Sequence, residues 1–413
     1  MTLNLLTQKS FVLHSGERFC LLVDKATGLP LYYPNLFLIT QVRNRSLSFS
    51  SMETALASIT ILLKYLSEKN EYIEDRFENL KFLDINEIDG LCDFCQKKFK
   101  KKSKRGEIYN LNINKRGFDD GLVATETMYV RITIIAEYIQ WLAQKIIINC
   151  DDKFISNRIF RMVEALKARR PLKSNRNAGL VEKGLTERQV KLLFEIIRPG
   201  SSLSPFTEES VKVRNRLIVL LLFYLGIRGG ELLNIRVRDI DFTNNQILII
   251  RRADEGDDPR LDQPNAKTRD RRLPLKDTLS EEIYNYVIKY RKLVVSPKQP
   301  DYLFVTHKKG PSQGLPISKS GYKKVINTLS AVDSAIFQLS GHKFRHTWND
   351  NFSRQMDSLD VPPTEERQEE IRSNLMGWKP GSGTAAIYNK RFIKYKSFEA
   401  SLKLQEGINE KPI

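Results

Sequence analysis

A group of cationic and aromatic side chains is spread over the second half of the 413-residue chain. In chain order its members are Arg228, Lys267, His342, Arg345, His346, Trp378 and Tyr388. Arginine binds phosphate oxygens bidentately, and histidine, lysine and tyrosine carry protons that can be transferred. These residue types therefore suit chemistry on an anion such as a phosphodiester.

Taken singly, each of these residues has an ordinary structural explanation. An arginine after an apolar helix, such as Arg228, is more often a surface or salt-bridged residue, and one tyrosine among 15 is no signal. His342 and His346 are two of only four histidines, yet a core or capping role is the default for either alone. The signal is in the order and spacing of the whole set.

The order Arg, Lys, His-x-x-Arg, Trp, Tyr resembles the tyrosine recombinase (phage integrase) family. In this resemblance Arg228, in GIRGGELLNI, corresponds to the first arginine, which follows an apolar helix in a G-x-R-x-x-E context. Lys267 corresponds to the lysine of a β-hairpin. His342 and Arg345 correspond to H-x-x-R, and His346 to the second histidine that often follows it.

The resemblance covers about residues 184 to 400, and its last motif is LMGWKPGSGTAAIYNKRF. Trp378 takes a position usually filled by histidine, and Tyr388 corresponds to the nucleophile. The sequence departs from the family in two places. Trp378 lies ten residues before Tyr388, where nine is commoner, and residues 353–374 are longer than usual, which indicates a surface insertion.

The resemblance implies a role for each main residue. Arg228 and Arg345 would clamp the non-bridging oxygens of the scissile phosphate, where charge develops during in-line attack. Tyr388 would attack the phosphorus, helped by a cationic neighbourhood because its ordinary pKa is about 10. His342 would accept the tyrosine proton. Lys267 would protonate the leaving 5′ oxygen.

Supporting roles follow from the same resemblance. Trp378 would donate its indole N–H to a phosphate oxygen. Glu231 would pair with an arginine, and His346 would steady the neighbourhood of His342. Neither a metal ion nor ATP is implied, because arginines supply the charge and a 3′-phosphotyrosine bond conserves energy for religation. The sequence also lacks a G-x-x-x-x-G-K-[ST] loop.

Composition agrees with a polyanionic partner. Lys plus Arg number 67 against 49 acidic residues, a formal net charge of +18, which favours nucleic acid first and an anionic membrane second. Four scattered cysteines fit a reducing compartment. The first residues lack the pattern of a signal peptide, and the apolar run 217–227 is too short to span a bilayer. We expect a cytoplasmic protein, associated with the bacterial nucleoid.

The fold class expected is mainly α with a small antiparallel β-sheet. Apolar periodicity predicts helices over 52–67 and 126–145, while QILIIRR and DRRLPL predict strands. FCLLVD and LPLYY are also predicted to be strands. The predicted divisions are a strand-rich N-terminal segment over 1–45, a helical core-binding domain over 46–166, a basic linker over 167–183, a catalytic domain over 184–400 and a tail over 401–413. The first segment is interpreted as an extra arm-like module.

Several basic residues of the linker are candidates for DNA phosphate contacts. They are Arg169, Arg170, Lys173 and Arg176. Cys92 and Cys95 form a lone C-x-x-C, which is either a metal fragment or a simple pair on a helical turn.

The partners expected are duplex DNA attachment sites, other copies of the chain in a tetramer, and accessory DNA-bending proteins. Strand exchange would pass through a Holliday junction. Phe392, Tyr395, Phe398 and Leu402 form one predicted apolar helical face in the segment after Tyr388, which would pack either into a neighbouring protomer or onto its own domain. The alternatives to a recombinase or integrase are a type IB topoisomerase and a non-catalytic DNA-binding relative. The target sequence, the direction of the reaction and the carrier element stay open.

Overall fold

The structure is a computed structural model of the whole chain. The residues that it describes are 6–45, 48–99, 121–172, 183–264, 268–379 and 397–405. The chain divides into two compact units. Unit 1 comprises residues 1–12 and 18–179, and unit 2 comprises residues 13–17 and 180–413.

Unit 1 begins with an antiparallel pair of strands, β1 (Leu6–Val12) and β2 (Arg18–Asp24). The first predicted strand, FCLLVD, is confirmed within β2, whereas LPLYY is not a strand: α1 (Tyr32–Phe37) starts inside it. Pro30 makes only an isolated bridge, because proline cannot donate to a strand ladder. Pro34 falls in the first turn of α1, where a helix does not need the N–H.

The rest of unit 1 is helical. After a π-helical turn at Leu38–Val42, its helices are α2 (Phe49–Ser67), α3 (Ile73–Glu78), α4 (Ile85–Gln96), α5 (Thr125–Ile146) and α6 (Lys153–Ala168). The helices predicted at 52–67 and 126–145 are confirmed as α2 and α5. Residues from β2, among them Phe19, Cys20 and Leu22, belong to the same hydrophobic core as these helices. Strand β2 is buried along nearly its whole length and so packs into this helical core, whereas the interpretation of residues 1–45 as an arm-like module stays a prediction.

Unit 2 is built around the apolar helix α8. Its helices are α7 (Glu187–Ile196), α8 (Glu209–Leu225), α9 (Gly229–Leu232), α10 (Asp277–Lys289), α11 (Lys319–Ser330), α12 (Gly341–Asp357) and α13 (Glu365–Met376). The antiparallel sheet has the order β3 (Ile240–Asp241), β4 (Gln246–Ile249) and β5 (Arg271–Pro274). The two strands predicted from QILIIRR and DRRLPL thus pair with each other as β4 and β5.

Local signals locate several ends of these helices. Thr186 and Gln189 form the reciprocal capping box at the start of α7, with the Thr186 N–H donating to Gln189 Oε1 at 2.9 Å. Helix α6 runs on to Ala168, into the predicted linker, and a helix over 397–405 crosses the boundary placed at 400. Most of the predicted insertion forms the end of α12 and most of α13. Among the described residues, no helix is both long and apolar enough to cross a bilayer.

Asn35 joins α1 to β2, and its replacement tests the first unit. Its side-chain oxygen accepts the Leu22 N–H at 2.9 Å, and its amide donates to the Leu22 carbonyl at 2.9 Å. Asn35→Ala should lower the free energy of unfolding by about 2 kcal/mol, because a buried N–H loses its partner. Asn79→Ala, at an exposed helix end, should change it by less than about 0.5 kcal/mol. Urea unfolding of both variants checks this, and equal midpoints would contradict it.

Candidate functional site

Arg228 follows a sharp reversal at the end of α8. Gly226 ends that helix with a φ of +59°, a left-handed conformation that suits glycine. A Cβ at this position would also lie 2.7 Å from the Trp348 ring. The reversal makes Arg228 the residue that precedes α9, with its side chain 31% exposed. The guanidinium pairs with the Glu231 carboxylate at 3.4 Å and is partly exposed, so a ligand can reach it.

Glu231, in α9, holds this turn from inside the protein. Its side chain is fully buried, and its carboxylate accepts the Arg228 N–H at 3.0 Å and pairs with the Arg271 guanidinium at 2.8 Å. The Thr268 hydroxyl also donates to it. Burial acts to raise the pKa of Glu231, but the charge of Arg271 and the hydrogen bonds from Thr268 and Arg271 bring it below its ordinary value. Glu231 is therefore ionised, and the prediction that it pairs with an arginine is confirmed.

The same contacts reach the segment after α13. Arg271 Nε donates to the Leu375 carbonyl at 2.7 Å, and the Arg269 N–H donates to the Gly377 carbonyl at 2.9 Å. Gly377 has a φ of +66°, and a Cβ there would lie 2.8 Å from the Arg269 carbonyl oxygen. The start of β5 and the backbone next to Trp378 are therefore fixed to each other.

Arg345 connects two of the motifs directly. It lies one turn into α12, is 1% exposed, and donates to the Gly226 carbonyl at 2.8 Å and the Met376 carbonyl at 3.1 Å. These carbonyls stand two residues before Arg228 and two residues before Trp378. The Arg345 guanidinium also lies over the Trp378 ring, 5.3 Å from its centroid. The residues from three separate sequence motifs thus meet at one place.

The two histidines of α12 lie next to each other. The rings of His342 and His346 are 4.8 Å apart between centroids and nearly perpendicular. Burial, together with the positive charges of Arg345, Arg228 and Lys183, lowers the pKa of His342. Burial and the neighbouring His342, then Lys183 and Arg345, lower the pKa of His346 to about 4. Both imidazoles are therefore neutral near pH 7, and His342 can accept a proton.

The β4–β5 connection, which contains Lys267, is anchored on both sides of the segment 265–267. Asn234, two residues after α9, donates to the Pro264 carbonyl at 2.7 Å. Thr268, on the other side, donates to Glu231. Lys267 itself lies outside the described residues, as do residues 380–396 with Tyr388.

A buried cluster of charges stabilises the same connection. Arg236 pairs with Asp257 at 2.6 Å, and Arg260 pairs with Asp258 at 2.8 Å. Both guanidinium groups lie over the Tyr302 ring, 4.7 Å and 4.5 Å from its centroid. These contacts fix the path of the chain from Asp257 to Arg260, because a buried charge needs a fixed counter-charge.

The linker candidates occupy different places. Arg169 follows α6 and pairs with Asp89, while Arg170 Nε donates to the Lys167 carbonyl at 2.9 Å. Lys173 and Arg176 lie outside the described residues. Both described arginines are therefore bonded within unit 1, and their contact with DNA stays a prediction.

Two residues of the site, Arg271 and Thr268, were not singled out from the sequence. A usable signal for Arg271 was present: along β5 the residues alternate between buried and exposed, and Arg271 shares the buried face with Leu273. An arginine on the buried face of a strand requires an acidic partner. Thr268 carries no comparable signal, because its partner Glu231 is 37 positions away.

Part of this chain matches known proteins in sequence. Residues 183–361 match the model of the phage integrase family. The chain is 35% identical over 166 residues to the tyrosine recombinase XerA of Pyrococcus furiosus, which covers 40% of this chain and 46% of XerA. It is 25% identical over 162 residues to the tyrosine recombinase XerC of Staphylococcus aureus, covering 39% of this chain and 45% of XerC. The chain therefore spans less than half the length of these curated relatives.

Solved structures share the fold. The XerH site-specific recombinase bound to difH substrate, in a pre-cleavage complex, matches with a TM-score of 0.52 and 16% identity over 84% of this chain and 78% of that one. A post-cleavage complex of XerH with a palindromic difH substrate matches with a TM-score of 0.52 and 17% identity, over 86% and 80% of the two chains.

Removing the charge of Glu231 tests its part in the site. Glu231→Gln should lower the free energy of unfolding by about 3 to 5 kcal/mol, because Arg271 stays buried without its counter-charge. The lowered pKa of Glu231 means that its carboxylate stabilises the wild type above the pKa of the unfolded chain. This stability is lost as the pH falls through the lower, folded value.

Urea unfolding at pH 7 and at successively lower pH measures both effects. Glu282→Gln is the matched control, since Glu282 pairs with Arg216 at 2.8 Å but is 39% exposed. It should cost no more than about 1 kcal/mol. Equal losses of unfolding free energy in the two variants would show that the buried Glu231–Arg271 ion pair stabilises the protein no more than an exposed one.

Proposed function

We propose that this chain is a site-specific DNA recombinase that cleaves and rejoins duplex DNA through Tyr388, because residues 183–361 match the model of the phage integrase family. The observation that carries the proposal is the position of Arg345. Its bonds to Gly226 and Met376 bring it next to the Arg228 turn and the Trp378 ring, with His342 on the same helix. Two arginines and a neutral histidine at one place suit a phosphodiester.

In the proposed reaction Arg228 and Arg345 bind the non-bridging oxygens of the scissile phosphate. The Tyr388 oxygen attacks the phosphorus, and His342 accepts the tyrosine proton. The bond to the 5′ oxygen breaks, and Lys267 supplies the proton that makes it a hydroxyl. The product is a 3′-phosphotyrosyl bond, and attack by the 5′ hydroxyl of another strand reverses the steps and releases the tyrosine.

The place of Lys267 is supported by its neighbours in sequence. Pro264 and Thr268 are bonded to Asn234 and Glu231, which lie in or next to α9. Glu231 also binds the backbone of Arg228. These two anchors, on either side of Lys267 in the sequence, support the proposal that Lys267 protonates the leaving oxygen. Trp378 is proposed to donate its indole N–H to the same phosphate.

We propose that exchange takes place between duplex attachment sites within a tetramer, through a Holliday junction. Support comes from the helix over 397–405, where Phe398 and Leu402 are 67% and 45% exposed. These residues are four positions apart and so lie on one face of the helix. An apolar face that its own chain leaves exposed suits docking on a second copy. Phe392 and Tyr395, which the sequence pattern predicts on the same face, lie outside the described residues.

The first test concerns the nucleophile. Tyr388→Phe removes the attacking oxygen and keeps the ring, so covalent protein–DNA adducts should disappear while DNA affinity stays within a few-fold. Adducts are collected on nicked duplexes drawn from the DNA that flanks the gene, since loss of the cut fragment prevents religation. Tyr395→Phe is the control and should form adducts at the wild-type rate. Adducts from the Tyr388 variant, or none from the wild type, would contradict the proposal.

The second test concerns the proton donor. Lys267→Ala should slow cleavage by roughly a hundredfold or more, the usual contribution of general acid catalysis. A substrate with a 5′-bridging sulfur has a leaving group that needs no proton, so the variant should cleave it at nearly the wild-type rate. Lys276→Ala, just after β5, should cleave both substrates normally. If the sulfur substrate does not restore the cleavage rate of the Lys267→Ala variant, Lys267 is not the proton donor.

A further inference from the structure

Tyr322, in the first turns of α11, touches both segments that carry the phosphate-binding residues. A Cβ at Gly229 would lie 2.9 Å from Tyr322 Cε1 and 3.0 Å from both its Cζ and its hydroxyl oxygen. A Cβ at Gly341 would overlap the hydroxyl itself. Gly229 follows Arg228 and Gly341 precedes His342. The Tyr322 hydroxyl therefore lies directly between these two pieces of backbone.

Neither glycine is required by its backbone conformation. Gly229 and Gly341 are absent from the glycines with positive φ, so another residue could adopt the same backbone angles. What excludes a larger residue at either position is the Tyr322 side chain. The two glycines and the tyrosine thus form one close-packed contact.

The hydroxyl contributes no hydrogen bond to this contact. It is buried, and no partner for it exists within the part of the chain that the structure describes. Burial raises the pKa of Tyr322, so the hydroxyl keeps its proton. A buried hydroxyl without a partner costs free energy, and phenylalanine would fill the ring's space without that cost. The Tyr322 hydroxyl oxygen therefore does not serve to stabilise the fold. Its position between the two backbone segments gives it a role instead.

Resting on the proposed function, we infer that Tyr322 is a positioning residue whose hydroxyl sets the spacing between the Arg228 turn and the start of α12. Arg345 draws the same two segments together through its bond to the Gly226 carbonyl. Tyr322 stops their approach at one distance. That distance decides whether Arg228 and His342 reach the same phosphate.

The test uses the rate constant of adduct formation at saturating nicked duplex from the DNA flanking the gene. Gly341→Ala should lower it by roughly ten- to a hundredfold, since a shift of about 1 Å can cost that much. Adding Tyr322→Phe should restore it to within a few-fold, because the new Cβ then meets Cζ at 3.5 Å. Gly229→Ala should not be restored by Tyr322→Phe, because its Cβ meets ring carbons that phenylalanine keeps.

Two further variants separate positioning from general stability. Tyr322→Phe alone should lower the rate constant several-fold without lowering the melting temperature or the DNA affinity. Leu329→Ala, a buried truncation further along α11, should lower the melting temperature but leave the rate constant near wild type. Equal rescue of both glycine variants, or no rescue of Gly341→Ala, would overturn the inference.

Adduct formation by the wild type distinguishes this inference from the proposed function. If the wild type forms no adduct, the proposed recombinase activity fails and the positioning role fails with it. If the wild type forms adducts but Tyr322→Phe does not restore the rate constant of Gly341→Ala, only the role of Tyr322 is overturned.

Discussion

The carboxylate of Glu231, buried with no exposed side-chain surface, binds the Arg228 backbone, the Thr268 hydroxyl and the Arg271 guanidinium at once. Arg228 belongs to the same turn as Glu231, whereas Thr268 and Arg271 belong to the segment that leads into β5. A carboxylate out of contact with water must be satisfied by groups with fixed positions, so these two stretches cannot shift independently. Arg271 also donates a hydrogen bond to the Leu375 carbonyl, so the end of α13 is held in place by the same group. The geometry of the site depends on this one buried charge.

Arg345, in α12, fixes the site in a similar way through buried contacts. Its guanidinium is held by two backbone carbonyls and a tryptophan ring, which orients a side chain that otherwise has several rotatable bonds. Buried charges of this kind add little net stability, because desolvation offsets much of the attraction. They instead fix the geometry. A site that must bind an anion gains from that, since cationic groups placed beforehand need no reorganisation when charge develops.

Sequence reasoning succeeded where the signal is local. The apolar spacing of α2 and α5 and the strand segments QILIIRR and DRRLPL are short-range patterns, and each predicted element is present. His342 and Arg345 are three positions apart, which fixes their relation once α12 forms. The order of motifs along the chain predicted a resemblance from residue 184 onward, and the match to the family model begins at residue 183.

The failures have a common cause in contacts between distant residues. LPLYY has the composition of a strand, but Asn35 bonds to Leu22 from 13 positions away and a helix begins instead. The packing of β2 into the helical core could not be predicted from the first 45 residues alone. Tyr322 carries no motif, and its contact with Gly341 becomes visible only in the folded chain.

The most direct measurement is the mass of the covalent adduct after digestion of its DNA by nuclease and of its protein by trypsin. The account predicts a nucleotide phosphate on the peptide spanning residues 373–390, in which Tyr388 is the only tyrosine. The phosphate should be attached through its 3′ end. A phosphate on any other peptide, such as one containing Tyr395, would contradict the assignment of Tyr388 and the site built around it.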